Sequence, residues 1–181
     1  MSGFVDPYKL AKRQQSMQGS FPVASMQRAT KLLASDQREL TYSLMFDIDE
    51  DNCCFIKGEL RAVLTMRCQR CMQTFEQELN CNFKVSPVPN DEAAKGLSVV
   101  YEPVVVFDAK LDPAELIEDE LILALPIVAM HDIEDVACKN ATELLADKAQ
   151  NLVNPFQVLQ DLKLNKKGQK AGDKNGSTTE S

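Results

Sequence analysis

Two cysteines three positions apart, Cys68 and Cys71, are the residues of this sequence best suited to chemistry. Each is preceded by an arginine, Arg67 or Arg70, and the flanks on both sides alternate between apolar and polar residues. A C-x-x-C pair can bind a metal, act as a redox dithiol or occupy a tight hairpin turn. These three alternatives require different partners elsewhere in the chain.

The metal hypothesis requires two further ligands, because structural zinc is bound by four side chains in a tetrahedron. The best candidates are His131 and Cys138, which follow a predicted helix and its stop at Pro126. With Cys68 and Cys71 they complete a Cys3His set suited to a closed structural zinc site. A single C-x-x-C pair is a weaker signal than two such pairs, so the metal site remains one of several hypotheses.

Catalytic alternatives have less support. A thioredoxin-like dithiol lies between a strand and a helix, whereas both flanks of this pair are typical of strands. The sequence has one histidine and seven glycines, and it lacks the H-E-x-x-H, nucleophile-elbow and phosphate-loop motifs. We therefore predict a protein that is not an enzyme.

Nucleic-acid binding receives mixed support from the charges. Arg67 and Arg70 at a hairpin tip are weak candidates for contact with RNA phosphates. Residues 88–147, however, carry three basic and fourteen acidic side chains, which would repel a phosphate backbone. That acidic region suits a basic protein partner, although a solvated acidic surface explains the same charges.

Helix signals occur at both ends of the chain. Asp6 and Pro7 are typical of a helix start, and so are Asp112 and Pro113, whose helix should stop at Pro126. The acids Glu118, Asp119 and Glu120 lie toward the N-terminal half of that helix, where its dipole favours negative charge. Apolar spacing predicts further helices over 23–33 and 154–162.

Alternating apolar residues predict strands over 40–48, 54–68 and 75–85, joined by short turns. Gly58 suggests a bulge in the second strand, and the segment 86–92, with prolines at 87 and 89, is expected to break the sheet. A further strand is expected over 99–107, with Pro103 indicating an edge position. We therefore predict an α+β fold in which an antiparallel meander of four to six strands packs with N-terminal and C-terminal helices.

Length and composition limit the cellular setting. The 181 residues suit one domain with tails, and no apolar run is long enough for a membrane span. The N-terminal segment does not resemble a secretory signal, so we expect a cytoplasmic protein whose six cysteines are thiols or ligands. The Lys-, Gly- and Ser-rich segment 164–181 is expected to be a disordered tail.

Several segments, in this order along the chain, resemble the YceD family. They are Asp6-Pro7, Gly19 with Pro22, Arg67–Cys71 followed by Phe75, Tyr101–Pro103, Leu116–Val128, His131, Cys138 and Asn154–Phe156. The resemblance covers residues 1–163, which we take as a single YceD-like domain. Some relatives carry a cysteine-rich segment like a zinc ribbon after the Leu-Ala-Leu-Pro stretch, whereas this chain keeps only His131 and Cys138 there.

The resemblance implies a non-catalytic bacterial factor needed for synthesis, processing or stability of the large-subunit (23S) ribosomal RNA. Its partner would be that RNA or a ribosomal protein. The alternative is a zinc-stabilised interaction module whose acidic region binds a basic ribosomal protein and acts on RNA indirectly.

Overall fold

A computed structural model of the chain describes residues 3–132 and 138. Short helices and 3₁₀ turns surround one long meander of strands. In chain order the elements are α1 (Pro7–Lys12), β1 (Ser16–Pro22), 3₁₀ turns at Val23–Ser25 and Ala29–Leu32, β2 (Glu39–Ile48), β3 (Cys54–Arg67), β4 (Thr74–Val88), α2 (Asp91–Ala94), β5 (Glu102–Val105) and α3 (Pro113–Ala124).

The five strands form one sheet whose spatial order follows the chain, β1-β2-β3-β4-β5. The first three pairings are antiparallel, and β5 lies parallel to β4 at the edge of the sheet. This arrangement confirms the predicted α+β fold, its meander and the edge position of Pro103. The fourth predicted strand is shorter than expected, since β5 covers only Glu102–Val105.

Strands β3 and β4 form the longest pairing, in continuous register from Ile56 opposite Val85 to Arg67 opposite Thr74. Alternate residues of both strands face the helices, so one face of the sheet is dry and the other is wet. The buried core on the dry face combines strand and helix residues: Leu40, Leu44, Phe46, Ile56, Leu60, Leu64, Val85, Ala11, Leu116, Ile117 and Leu121.

Gly58 makes no bulge, so that prediction was wrong. It pairs regularly with Leu44 on β2 and with Phe83 on β4. A Cβ atom at this position would lie 1.9 Å from Phe83 Cζ. Glycine is therefore needed because the Phe83 ring occupies the space above the β3 backbone.

The expected break over 86–92 begins later than predicted, because β4 continues to Val88. Backbone pairing with β3 ends at Val85, so the missing N–H of Pro87 removes no hydrogen bond to that strand. Ser86 Oγ instead donates to the Cys54 carbonyl at 2.8 Å, and β5 pairs with the other side of β4.

Helix α3 begins and ends as predicted. The Asp112 side chain accepts a hydrogen bond from Ala114 N at 2.9 Å, and Pro113 occupies the first turn. The helix ends at Ala124, two residues before Pro126. The predicted helix at Asp6-Pro7 is present as α1, with Asp6 accepting from Lys9 N at 3.0 Å.

The predicted helix over 23–33 is instead two 3₁₀ turns. Glu118 of α3 accepts hydrogen bonds from the backbone N–H groups of Arg28 and Ala29 at 2.6 and 3.1 Å. The Arg28 guanidinium also contacts Glu118, and it lies 2.5 Å from Asp119. A carboxylate distant in sequence thus satisfies backbone donors that a continuous helix would have used internally. Glu118 and Asp119 of α3 consequently bind residues 28–29 to the helix. The helix dipole explains why acids are favoured in the N-terminal half of α3, but it does not predict this contact.

The predicted helix over 154–162, the tail at 164–181 and the domain end at 163 lie outside the described residues. Among the described residues, no helix is long and apolar enough to cross a membrane.

Glu120 gives the fold a measurable pH dependence. It lies on α3 with 6% of its surface exposed, and burial, together with Glu102 and Asp119, raises its pKa to about 7. In the unfolded chain this group ionises near the ordinary pKa of 4.5, whereas in the fold it ionises near pH 7. Its burial therefore destabilises the fold progressively as the pH rises between these two values. Below the ordinary pKa the penalty is absent, and above pH 7 it is complete.

We expect Glu120→Gln to raise the free energy of unfolding at pH 8 by about 1–3 kcal/mol and to leave it unchanged near pH 4. Urea unfolding across this pH range measures the difference. Glu115→Gln, an exposed carboxylate on the same helix, is the matched control. An equal gain at both pH values would contradict ionisation as the cause.

Candidate metal centre

The C-x-x-C pair occupies the turn between β3 and β4. Cys68 N donates to Gln73 O at 2.8 Å, and Met72 N donates to Cys68 O at 2.9 Å. Met72 has a φ of 65°, in the left-handed region that non-glycine residues rarely adopt. The turn is therefore tight, and it places both cysteine side chains on the same side.

The segment after α3 packs directly against this turn. Gln69 N donates to the Ala129 carbonyl at 2.8 Å, which fixes the chain two residues before His131. The Phe75 ring lies 4.8 Å from the His131 ring, between centroids, and supports the imidazole from the β4 side. The Gln69–Ala129 backbone hydrogen bond and the Phe75 ring thus hold His131 beside the cysteine pair.

The four predicted ligands come together. Cys68 Sγ lies 3.7 Å from Cys138 Sγ, and Cys71 Sγ lies 3.5 Å from His131 Nδ1. All four ligand atoms lie within 4.8 Å of one another. Cys68 and Cys138 are buried, while Cys71 and His131 are partly buried. The cluster is compact enough to hold one metal ion.

Two of the six ligand–ligand distances agree with tetrahedral zinc. With Zn–S near 2.3 Å and Zn–N near 2.05 Å, a tetrahedron requires about 3.8 Å between sulfurs and about 3.6 Å between sulfur and nitrogen. The two measured separations fall within 0.1 Å of those values. Nδ1 is the histidine nitrogen that faces the thiols, so the ring proton would reside on Nε2.

The surroundings of Cys68 favour a thiolate. Burial opposes that form, but backbone N–H groups of Cys71, His131 and Arg70 outweigh it and lower the pKa of Cys68 to about 5. Arg70 N is 3.4 Å from Cys68 Sγ. Burial raises the pKa of Cys138, so a bound cation would have to displace that proton.

Arg70 is part of this cluster. Its Nε donates to Cys138 Sγ at 2.9 Å, and this hydrogen bond raises the pKa of the guanidinium. Its second terminal nitrogen is buried without a hydrogen-bond partner among the described residues. With a bound Zn²⁺, three thiolates would leave a net charge of −1, which the arginine would offset. The sequence placed Arg70 at a hairpin tip facing RNA phosphates, but here its side chain turns inward, whereas Arg67 is exposed.

The other three cysteines lie elsewhere. Cys54 and Cys81 are partly buried against the core, and burial raises the pKa of Cys54 to about 11 and also raises that of Cys81. Cys53 Sγ lies 3.5 Å from Ser86 Oγ, a contact that the sequence did not suggest. Their strand and turn positions make them suitable controls for the cluster.

Sequence reasoning missed two supports of the cluster, the Phe75 ring and the inward turn of Arg70. Phe75 lies four positions after Cys71 in the sequence, but that spacing alone does not assign its ring to the cluster. The redox alternative gains nothing from the structure, since strands flank the pair on both sides.

The sequence model of a family described as "Large ribosomal RNA subunit accumulation protein YceD" matches residues 56–163. A protein of that name from Haemophilus influenzae is 32% identical over 163 residues, covering 88% of this chain and 94% of the relative. No solved structure matches. The matched region begins within β3 and includes β4 and all four residues of the cluster. Because the family model matches more than half of the chain and the relative matches most of it, this chain belongs to the YceD family.

Proposed function

We propose that this protein is a non-enzymatic factor that supports synthesis, processing or stability of the large-subunit (23S) ribosomal RNA. Its membership in the YceD family carries the proposal, since the Haemophilus influenzae relative is named for large ribosomal RNA subunit accumulation. A role without catalysis agrees with the chemistry of the cluster. Four protein ligands fill a tetrahedral site and leave no position for a reactive water.

We further infer that the cluster binds a structural zinc ion through Cys68, Cys71, His131 and Cys138. The donor set and the two tetrahedral edge lengths support zinc. The ion would join the β3–β4 turn to the chain that follows α3 and so stabilise both segments. Arg70 would then offset the charge of the thiolates, which leaves Arg67 as the better candidate for an RNA phosphate contact.

For the zinc site, we expect protein purified anaerobically without added metal to contain about one equivalent of zinc. Cys71→Ser should lose the metal and unfold at a lower temperature, because one ligand of a closed site is absent. Elemental analysis and thermal unfolding measure both effects. Cys81→Ser, which alters a cysteine outside the cluster, should keep the metal. Less than about 0.2 equivalents in the unmodified protein would contradict the site.

For the cellular role, we expect a strain without the protein to show a reduced ratio of large-subunit to small-subunit ribosomal RNA. The wild-type chain and the Cys81→Ser variant should restore the ratio, and Cys68→Ser/Cys71→Ser should restore it less because the hairpin turn loses its metal. Quantitative RNA electrophoresis measures the ratio. An unchanged ratio in the deletion strain would contradict the proposed function.

Direct RNA contact is tested by salt-dependent binding of purified protein to large-subunit RNA fragments. Arg67 is exposed and has no ion pair in the described part of the chain, so Arg67→Ala should lower the slope of log K against log salt by about one. Arg61→Ala is the matched control, because Arg61 is exposed on the same strand but is paired with Glu59. Equal losses from both variants would exclude a specific contact at Arg67.

A further inference from the structure

A second surface, remote in sequence from the cysteine pair, combines exposed aromatic residues with carboxylates. We call it the acidic groove. It is a cavity of about 580 Å³ between the β5–α3 connection and the first turns of α3. Its rim carries Phe4, Phe107, Asp108 and Glu115, and its floor includes Val106 and Leu116.

The aromatic rim is more exposed than internal packing requires. Phe107 is 77% exposed and Phe4 is 68% exposed, although both lie beside the buried floor of the groove. Phe4 is held there by its neighbour, since Val5 N donates to Leu111 O and Leu111 N donates to Val5 O, both at 2.9 Å. Neighbouring exposed apolar side chains on an ordered backbone are typical of a binding surface.

The turn that displays Phe107 is strained. Asp108 and Ala109 have φ values of 52° and 54°, and Lys110 N donates to Phe107 O at 2.9 Å to close the turn. Alanine in the left-handed region costs about 1–2 kcal/mol. The fold thus retains a conformation that projects Phe107 outward, and retained strain of this kind is frequent at binding sites.

The charges of the groove select the chemistry of its occupant. Its lining contains four carboxylates, Asp108, Asp112, Glu115 and Asp119, and a single cation, Lys110. Asp112 caps α3 and Asp119 is paired with Arg28, but Asp108 and Glu115 are exposed and have no ion pair in the described part of the chain. Two available carboxylates beside two aromatic rings complement lysine or arginine next to apolar side chains, and they repel phosphates.

We propose that the acidic groove binds a basic peptide segment of a protein partner, with one apolar side chain of the peptide packing between Phe4 and Phe107. Asp108 and Glu115 would pair with the cations on either side of that residue. The proposal extends the proposed function by giving the chemical class of a protein partner. It rests on that function only for the cellular process in which the partner takes part.

The test uses the purified full-length chain and fluorescence anisotropy with three labelled probes. One is a peptide in which lysines flank a phenylalanine and a valine, the second replaces each lysine with glutamate, and the third is an oligo-uridine RNA. We expect the lysine peptide to bind, the glutamate peptide not to bind, and the RNA not to compete with the lysine peptide for the groove. Binding should weaken with salt, because the groove and peptide carry opposite charges.

The variants locate the binding. Phe107→Ser should weaken binding by about tenfold, the usual loss on truncating a central aromatic anchor. Asp108→Asn/Glu115→Gln should weaken it about two- to fivefold per lost ion pair. Glu50→Gln/Asp51→Asn makes the same change of charge at exposed positions in the β2–β3 turn and should leave affinity unchanged.

Absence of lysine-peptide binding, equal affinity in the groove variants and the wild type, or displacement of the peptide by RNA would each overturn the proposal. Thermal unfolding of each variant confirms that the fold is intact, which is expected because all substituted side chains are exposed. The peptide assay needs no ribosomal RNA, so its failure and a failure of the proposed cellular function are separate results.

Discussion

The continuous ladder between β3 and β4 is the constraint on which the rest of the structure depends. Its register decides which side chains face the helices, because a shift of one residue would exchange the dry and wet faces of both strands. The same register brings Arg67 opposite Thr74 and leaves six residues to make the turn. Within that span the chain must reverse, and the two cysteine side chains emerge together. The core and the candidate metal centre are therefore consequences of one pairing.

Acidic residues have several distinct tasks in this fold, so the overall negative charge is a poor guide to function. Asp112 caps α3, and Glu118 binds two backbone N–H groups of a distant segment. Asp49 accepts a 2.5 Å hydrogen bond from the hydroxyl of Tyr101, whose ring lies beneath the Lys84 ammonium. Only the carboxylates that remain after these structural uses are available to a partner, and Asp108 and Glu115 are among them.

Local pattern was sufficient for much of the structure. Strict alternation predicted the three meander strands, and the Asp112-Pro113 pair predicted the start of α3, because these signals depend on neighbours in sequence. Ligand chemistry, together with a position after the predicted helix and its stop at Pro126, chose His131 and Cys138 as companions of the cysteine pair, and the fold brings them together.

Where the predictions from sequence were wrong, the structure is decided by a contact between residues that are far apart in the sequence. The helical spacing over 23–33 was real, but Glu118 binds the backbone there and two 3₁₀ turns result. Gly58 suggested a bulge, whereas the Phe83 ring of β4 occupies the space that a side chain at position 58 would fill. The acidic groove depends on the Val5–Leu111 bridge, which places Phe4 beside the same cavity as Phe107, and no short stretch of sequence contains both residues.

The separation of the clustered cysteines along the chain also imposes an order on biosynthesis. Cys68 and Cys138 are 70 residues apart. At translation rates of about 5–20 residues per second, Cys138 is made about 4–14 s after Cys68. The hairpin can pair during that interval, but the proposed ligand set of its two thiols stays incomplete until residue 138 has been made. A nascent chain therefore passes through a stage in which the turn is formed and its sulfurs are open to oxidants or to the wrong metal.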